Sequence, residues 1–244
     1  MMRQAGHGNA IRSAFRGGRF PRVAVPALVL LALTITAAQH AARPVLPPDL
    51  PLHETGPDSF VAEFTTTKGT FTMHAVRAWS PKGVDRLYHL VKGGYFDGLT
   101  IYRVGETKSV AGGRVVQFGQ SGDTAASHAW DRAGIEDEPA LHPHRPGAVG
   151  FARGGPGTRT VEIAIATNAI PALDTVNYLG VVGFPVIAEV RAGLDVLSRL
   201  EGRYGNAPIE NDSLSILGGS YLKRAFPGLD DVVRARVKRE WRRK

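Results

Sequence analysis

The chain has 244 residues, 43% of them hydrophobic and 21% charged, with no cysteine and a formal net charge of +8. Disulfide frameworks, cysteine-ligated zinc, iron–sulfur clusters and thiol nucleophiles are thereby excluded, and the length suits one large domain or two small ones. The positive charge sits at the ends: residues 1–22 carry five Arg and no acid, residues 232–244 carry seven Lys or Arg against one Glu, and the stretch between is net −3. A domain core of that sign does not read as a nucleic-acid binder.

Arg3, Arg12, Arg16, Arg19 and Arg22 precede an apolar run from Val23 to Ala38, the layout of a secretory signal. Thr36-Ala37-Ala38 suits a small-x-small cleavage site. As a helix this run rises about 24 Å, short of the roughly 30 Å hydrocarbon core of a bilayer, and extension to Ala42 takes in Gln39 and His40. Residues 23–42 are expected to be a signal peptide or membrane-anchor helix, with the basic segment 1–22 cytoplasmic. All that follows would then lie outside, on the periplasmic or cell-surface side. Residues 43–57 hold five prolines and read as an extended linker.

Phe60–Thr66 and Thr70–Val76 flank Thr67-Lys68-Gly69, a hairpin signal with a glycine able to take positive φ. Ser80-Pro81 offers an N-cap and a first-turn proline. Val84, Leu87, Tyr88 and Val91 then recur on one helical face until Gly93-Gly94. Thr100–Val104, Arg114–Gly119, Ala148–Ala152, Val161–Thr167 and Val186–Val190 are short, β-branched and bounded by Gly or Pro, hence strands. Leu194, Leu197 and Leu200 mark a second helix, and Leu214–Leu217 a last strand. Leu229, Val233, Val237 and Trp241 recur every four residues among Arg and Lys. That spacing predicts a basic amphipathic helix over 229–244, able to lie on an anionic membrane surface or to pack back on the domain. Two helices among seven or more short strands predict a mainly β fold, a closed antiparallel barrel with capping helices, a sandwich being the alternative. His128, Asp131, Glu136, Asp137, Glu138, His142 and His144 crowd one stretch, but their spacing fits no compact metal site and reads as solvated loop. Gly154–Thr158 lacks the lysine and helix of a phosphate loop and reads as a turn.

Four stretches, FTTTKGTFTMHAV (64–76), SPKGVDRLYHLVKGGYFDGLTIYRV (80–104), VVQFGQSGD (115–123) and GFARGGPGTRT (150–160), resemble the cyclophilin-type peptidyl-prolyl cis–trans isomerases, in particular a bacterial branch. EVRAGLDVLSRL (189–200) and SYLKRAFPGLD (220–230) look like that branch's later helix and carboxyl-terminal extension. The resemblance implies a closed eight-stranded barrel capped by two helices over residues 58–218, with an extension over 219–244. It also implies an enzyme that isomerises X–Pro bonds in polypeptides, as a monomer, with proline-containing segments as partners. Rotation about an imide makes and breaks no bond, so neither metal nor cofactor is required.

Carried over position by position, Arg103 matches the family's catalytic arginine and Gln117 the glutamine that contacts the substrate backbone. Leu173 and Phe184 match apolar positions of the substrate wall, which Val115, Ala152 and Ala164 are expected to complete. Several positions depart from the family. Arg114 and Ala164 stand where pocket phenylalanines are usual, Glu162 replaces a substrate-binding glutamine, Ile101 replaces an aromatic, and 105–112 is longer than usual. Two lost aromatics remove about 3 kcal/mol or more of apolar contact, and Glu162 is expected to pair with Arg103 or Arg114. A second reading follows from the same departures: a catalytically weak polypeptide-binding or chaperone module. A third makes the domain a scaffold whose basic ends do the work.

Overall fold

The structure, a computed structural model, describes residues 44–107 and 110–243. The basic segment and the expected signal or anchor at 23–42 lie outside the described residues. Among the described residues no helix is long and apolar enough to cross a membrane.

The first hairpin forms as its alternation requires. β1 (Ser59–Thr66) and β2 (Gly69–Val76) turn Phe60, Ala62, Phe64, Phe71, Met73 and Ala75 inward, and Phe64 stacks on Phe71 with ring centroids 5.2 Å apart. Gly69 takes φ 132° at the turn, a region closed to most side chains. α1 (Pro81–Lys92) buries the predicted face of Val84, Leu87, Tyr88 and Val91. Ser80 stands at its N-cap, but its side chain does not cap. The cap comes from Glu138, far along the chain, which accepts from the Lys82 amide at 2.8 Å and the Gly83 amide at 3.1 Å.

Further along the chain lie β3 (Leu99–Thr100), β4 (Arg103–Glu106), β5 (Arg114–Phe118), α2 (Thr124–Asp131), β6 (Ala148–Phe151), β7 (Ile163–Ala166), and a small hairpin of β8 (Asn177–Tyr178) and β9 (Val181–Val182). β10 (Val186–Ala192), α3 (Leu194–Ser198), α4 (Ser213–Leu217), α5 (Gly219–Ala225) and β11 (Asp231–Trp241) complete the order. Nine strands make one antiparallel sheet in the order β3-β11-β1-β2-β10-β6-β7-β5-β4. Its edges, β3 and β4, are successive in sequence with only Ile101 and Tyr102 between them. Two residues span little more than 10 Å, so the sheet has to curl. It forms a half-barrel rather than the closed eight-stranded barrel expected, because no ladder joins β3 to β4. Ile101 and Tyr102 bury their side chains at that seam instead.

Other expectations are corrected. Of the expected basic amphipathic helix, the described residues 229–243 form none. β11 pairs with β1 from Ser59↔Trp241 to Thr66↔Val232. A recurrence of four puts residues on one face of a helix and equally on one face of a strand; the free edge of β1 selected the strand. Its basic side chains meet the domain's own acids, Arg236 with Asp97 at 2.7 Å and Lys238 with Glu63 at 3.3 Å. The lipid-surface reading rested on a helix that is not there. Leu214–Leu217 is helical, in α4, which Gly218 closes at φ 62°. α2 replaces part of the expected solvated loop, with Asp123 Oδ1 accepting from Ala126 N at 2.8 Å as its N-cap. Residues 44–57, read as a linker, lie along the domain: Val45, Leu50 and Leu52 pack on the core, and the Val45 carbonyl accepts from Trp130 Nε1 at 2.8 Å.

Candidate functional site

Strand register builds the site. Arg103 of β4 is paired with Gln117 of β5, and Gln117 with Ala164 of β7, so their side chains share one face of the sheet. Val115 falls on the same face, two residues from Gln117. Arg103, Gln117, Val115, Ala152, Ala164, Leu173 and Phe184 all line one cavity of about 200 Å³. Leu173 reaches it from a 3-10 turn, Pro171–Asp174, and Phe184 from the residue pair before β10. Sites for drug-sized ligands span roughly 300–1,000 Å³; this one suits a single small ring. Although Ala164 contributes no ring, Tyr178 and Phe184 supply aromatic surface, their ring centroids 5.6 Å apart.

Arg114 and Glu162, expected at the substrate wall, do not line the cavity. Arg114 opens β5 one residue out of phase with Val115 and is exposed. Glu162 accepts from Tyr102 Oη at 2.5 Å and from Gln117 Nε2 at 2.8 Å. The expected Glu162 pairing with Arg103 or Arg114 is therefore not formed. Arg103 is held by neutral acceptors: Nε donates to Asn206 Oδ1 at 2.7 Å, Nη1 to Gln117 Oε1 at 2.9 Å, and Nη2 to the Glu106 carbonyl. Burial draws the Arg103 pKa below its ordinary value, opposed by Tyr102 and Glu162. The Tyr102 phenol is pushed well up, first by burial and then by Glu162, so it stays protonated and donates. One chain of hydrogen bonds thus runs from Tyr102 through Glu162 and Gln117 to Arg103, and it fixes the guanidinium at the cavity wall.

His144 also lines the cavity, its Nδ1 2.7 Å from Asp174 Oδ1. Burial lowers its pKa against the pull of Asp174; the ring is neutral at pH 7, and Nδ1–H donates to the carboxylate. This contact ties the turn that carries Leu173 to the segment before β6. His142 Nε2 lies 2.7 Å from Glu189 Oε1, and Glu138 caps α1, so these members of the His/Asp/Glu stretch meet separate partners.

Asn206, Tyr178, His144 and Arg153 were not found from sequence. Asn206 precedes a 3-10 turn, Ala207–Ile209, in a stretch with no hydrophobic period. Tyr178 and His144 give only the weak signal of an aromatic or imidazole within a loop, and Arg153, within residues 150–160, has no local pattern that marks it.

The family profile described as cyclophilin type peptidyl-prolyl cis-trans isomerase/CLD matches residues 61–216. Peptidyl-prolyl cis-trans isomerase ppi1 of Schizosaccharomyces pombe is 26% identical over 138 residues, which are 57% of this chain and 83% of that protein. Among solved structures, a cyclophilin type peptidyl-prolyl cis-trans isomerase of Cryptosporidium parvum aligns with a TM-score of 0.51 at 13% identity, covering 75% of this chain and 99% of that one.

Proposed function

The chain belongs to the cyclophilin-type peptidyl-prolyl cis–trans isomerase family, and we propose that it accelerates X–Pro rotation in exported polypeptides, as a monomer, by hydrogen bonding from Arg103 to the twisted imide. Cyclophilins are peptidyl-prolyl isomerases that bind proline-containing polypeptide. The barrier they lower is about 18–20 kcal/mol of amide resonance. At the top of it the imide nitrogen is pyramidal and carries a lone pair. A donor fixed beside that nitrogen stabilises the twisted state over both planar ones, which is what raises a rate.

The observation that carries this reading is the setting of Arg103, 7% exposed and gripped by Asn206, Gln117 and the Glu106 carbonyl. Of five guanidinium N–H groups, those three contacts leave the second N–H of each terminal nitrogen for substrate. Little reorganisation is then needed as charge develops. Gln117 keeps one amide N–H for the substrate backbone, and Val115, Ala164, Leu173 and Phe184 offer apolar surface to the proline ring. Exchange of an Ala-Pro peptide, followed by NMR, tests the role of the guanidinium. Arg103→Ala is expected to lose about 10²–10³-fold, the usual effect of removing an oriented donor. Equal rates for mutant and parent would leave a polypeptide-binding module.

Export rests on the five arginines followed by the apolar run from Val23 to Ala38. The amino-terminal residue of the protein recovered from cells checks it. A chain starting near Gln39 marks cleavage, and one starting at Met1 and pelleting with membranes marks an anchor. A chain starting at Met1 in the cytosol refutes export.

A further inference from the structure

Arg153 follows β6 by two residues and lines the same cavity as Arg103 and Phe184. It is 7% exposed, and its guanidinium carbon lies 4.1 Å from the centroid of the Phe184 ring. Stacking of this kind holds the group by its face and leaves its N–H edges to be satisfied by acceptors. Only one such contact is made, from Nη2 to the Val181 carbonyl at 3.0 Å. Nε and Nη1 are buried and have no hydrogen-bond partner among the described residues. Buried cationic donors without acceptors are costly and uncommon in native proteins. Nη2 completes a fork with either of them and carries a second N–H, so the group offers the paired donors that a carboxylate accepts.

The surroundings favour an anion. Arg103 and Arg153 line the cavity together with His144, and among the described residues no Asp or Glu does. Asp137 offsets some of the Arg153 charge; its Oδ2 accepts from Gly157 N, and its Oδ1, 4.0 Å from Arg159 Nε, is itself buried without a hydrogen-bond partner among the described residues. It forms no ion pair with Arg153.

From this geometry we infer that Arg153 is a specificity-determining residue, giving the site a preference for polypeptide segments that carry an acidic side chain next to the proline. The inference rests on the cavity being the X–Pro site: Phe184 is at once the apolar wall and the platform of Arg153, so a carboxylate bound there belongs to a residue adjoining the ring. The Val181 bond ties this guanidinium to the β8–β9 hairpin.

The test uses proline peptides that differ only in Glu, Gln or Lys beside the proline, on either side of it, with affinity from NMR titration and turnover from exchange. For the parent protein, Glu is expected to exceed Gln about tenfold on one side, as for a charge-assisted fork shielded from water, and Lys to fall below Gln. Arg153→Gln is expected to bring the Glu/Gln ratio close to one, and Arg153→Lys to keep part of it. A parent ratio near one overturns the inference, as does a ratio unchanged in Arg153→Gln. A Gln variant that melts earlier with its ratio intact means Arg153 serves only to balance Asp137, which also overturns it. Glu-selective binding without turnover of any peptide would refute the isomerase reading and leave this one standing. Turnover without selectivity would do the reverse.

Discussion

Glu138 shows how one side chain can serve two elements. Its carboxylate takes the amides of Lys82 and Gly83 at the start of α1 and, at 3.0 Å, the Nη2 of Arg159, a guanidinium with no exposure at all. Burial opposes its charge, yet hydrogen bonds from Ser80, the two amides and Arg159 hold the carboxyl below the ordinary value. Removing one partner of a buried pair strands the other, so Glu138→Ala is expected to cost about 3–5 kcal/mol, measured by urea denaturation at pH 7. A depressed carboxyl stabilises the fold above its unfolded pKa of about 4.3 and stops doing so as pH falls through the lower folded value. The stability gap between parent and Glu138→Gln should therefore narrow as pH is lowered below about 4.3 and through the depressed folded value; a gap that stays constant would show that the charge is irrelevant. Nothing local marks Glu138 as a cap, since it stands 56 residues from Lys82. Arg103 and Gln117 were legible only through the motifs around them. Asn206, which holds the Arg103 Nε, was not legible, because an asparagine in an aperiodic stretch signals only a turn.

At the scale of elements, β11 matters most. It covers the edge of β1 along the full length of that strand and buries Val232 and Ala235 completely. Deleting residues 231–244 is expected to cost about 3 kcal/mol or more from lost apolar burial alone, and it bares a long edge that invites association. Denaturation midpoint and size-exclusion elution at rising concentration check both effects; a truncated chain that unfolds like the parent as a monomer would show that β11 is dispensable. The hairpin of β1 and β2 and the face of α1 could be read from the sequence because each has a period of its own, and β5, β7 and β10 because they are short, β-branched and bounded by Gly or Pro. α4 and β11 could not. A run of four apolar-rich residues suits either element, and a spacing of four is common to both faces, so the choice fell to neighbours far away in sequence.

Across the whole molecule, the curl of the sheet carries the site. Because β3 and β4 are sequence neighbours at opposite edges, the sheet rolls around the main core, and the face of β4, β5 and β7 turned away from that core carries the site beside Leu173, Tyr178 and Phe184. The family match ends at residue 216, whereas the sheet draws on Asp231–Trp241 as well. The strand between β3 and β1 is thus supplied by chain beyond the matched region. Alternation and glycine turns were enough, within the sequence itself, to determine a mainly β fold and a strand at Arg103, since these are set by local pattern, and the resemblance of its motifs pointed to the family. Tertiary structure alone decided that the sheet stays open, that the tail is a strand, that Glu162 binds Tyr102 and Gln117 instead of an arginine, and that Arg153 lies buried over Phe184 with donors to spare. Those outcomes depend on which distant groups meet, and a hydrogen bond or an edge pairing has no energy until its partner is in place.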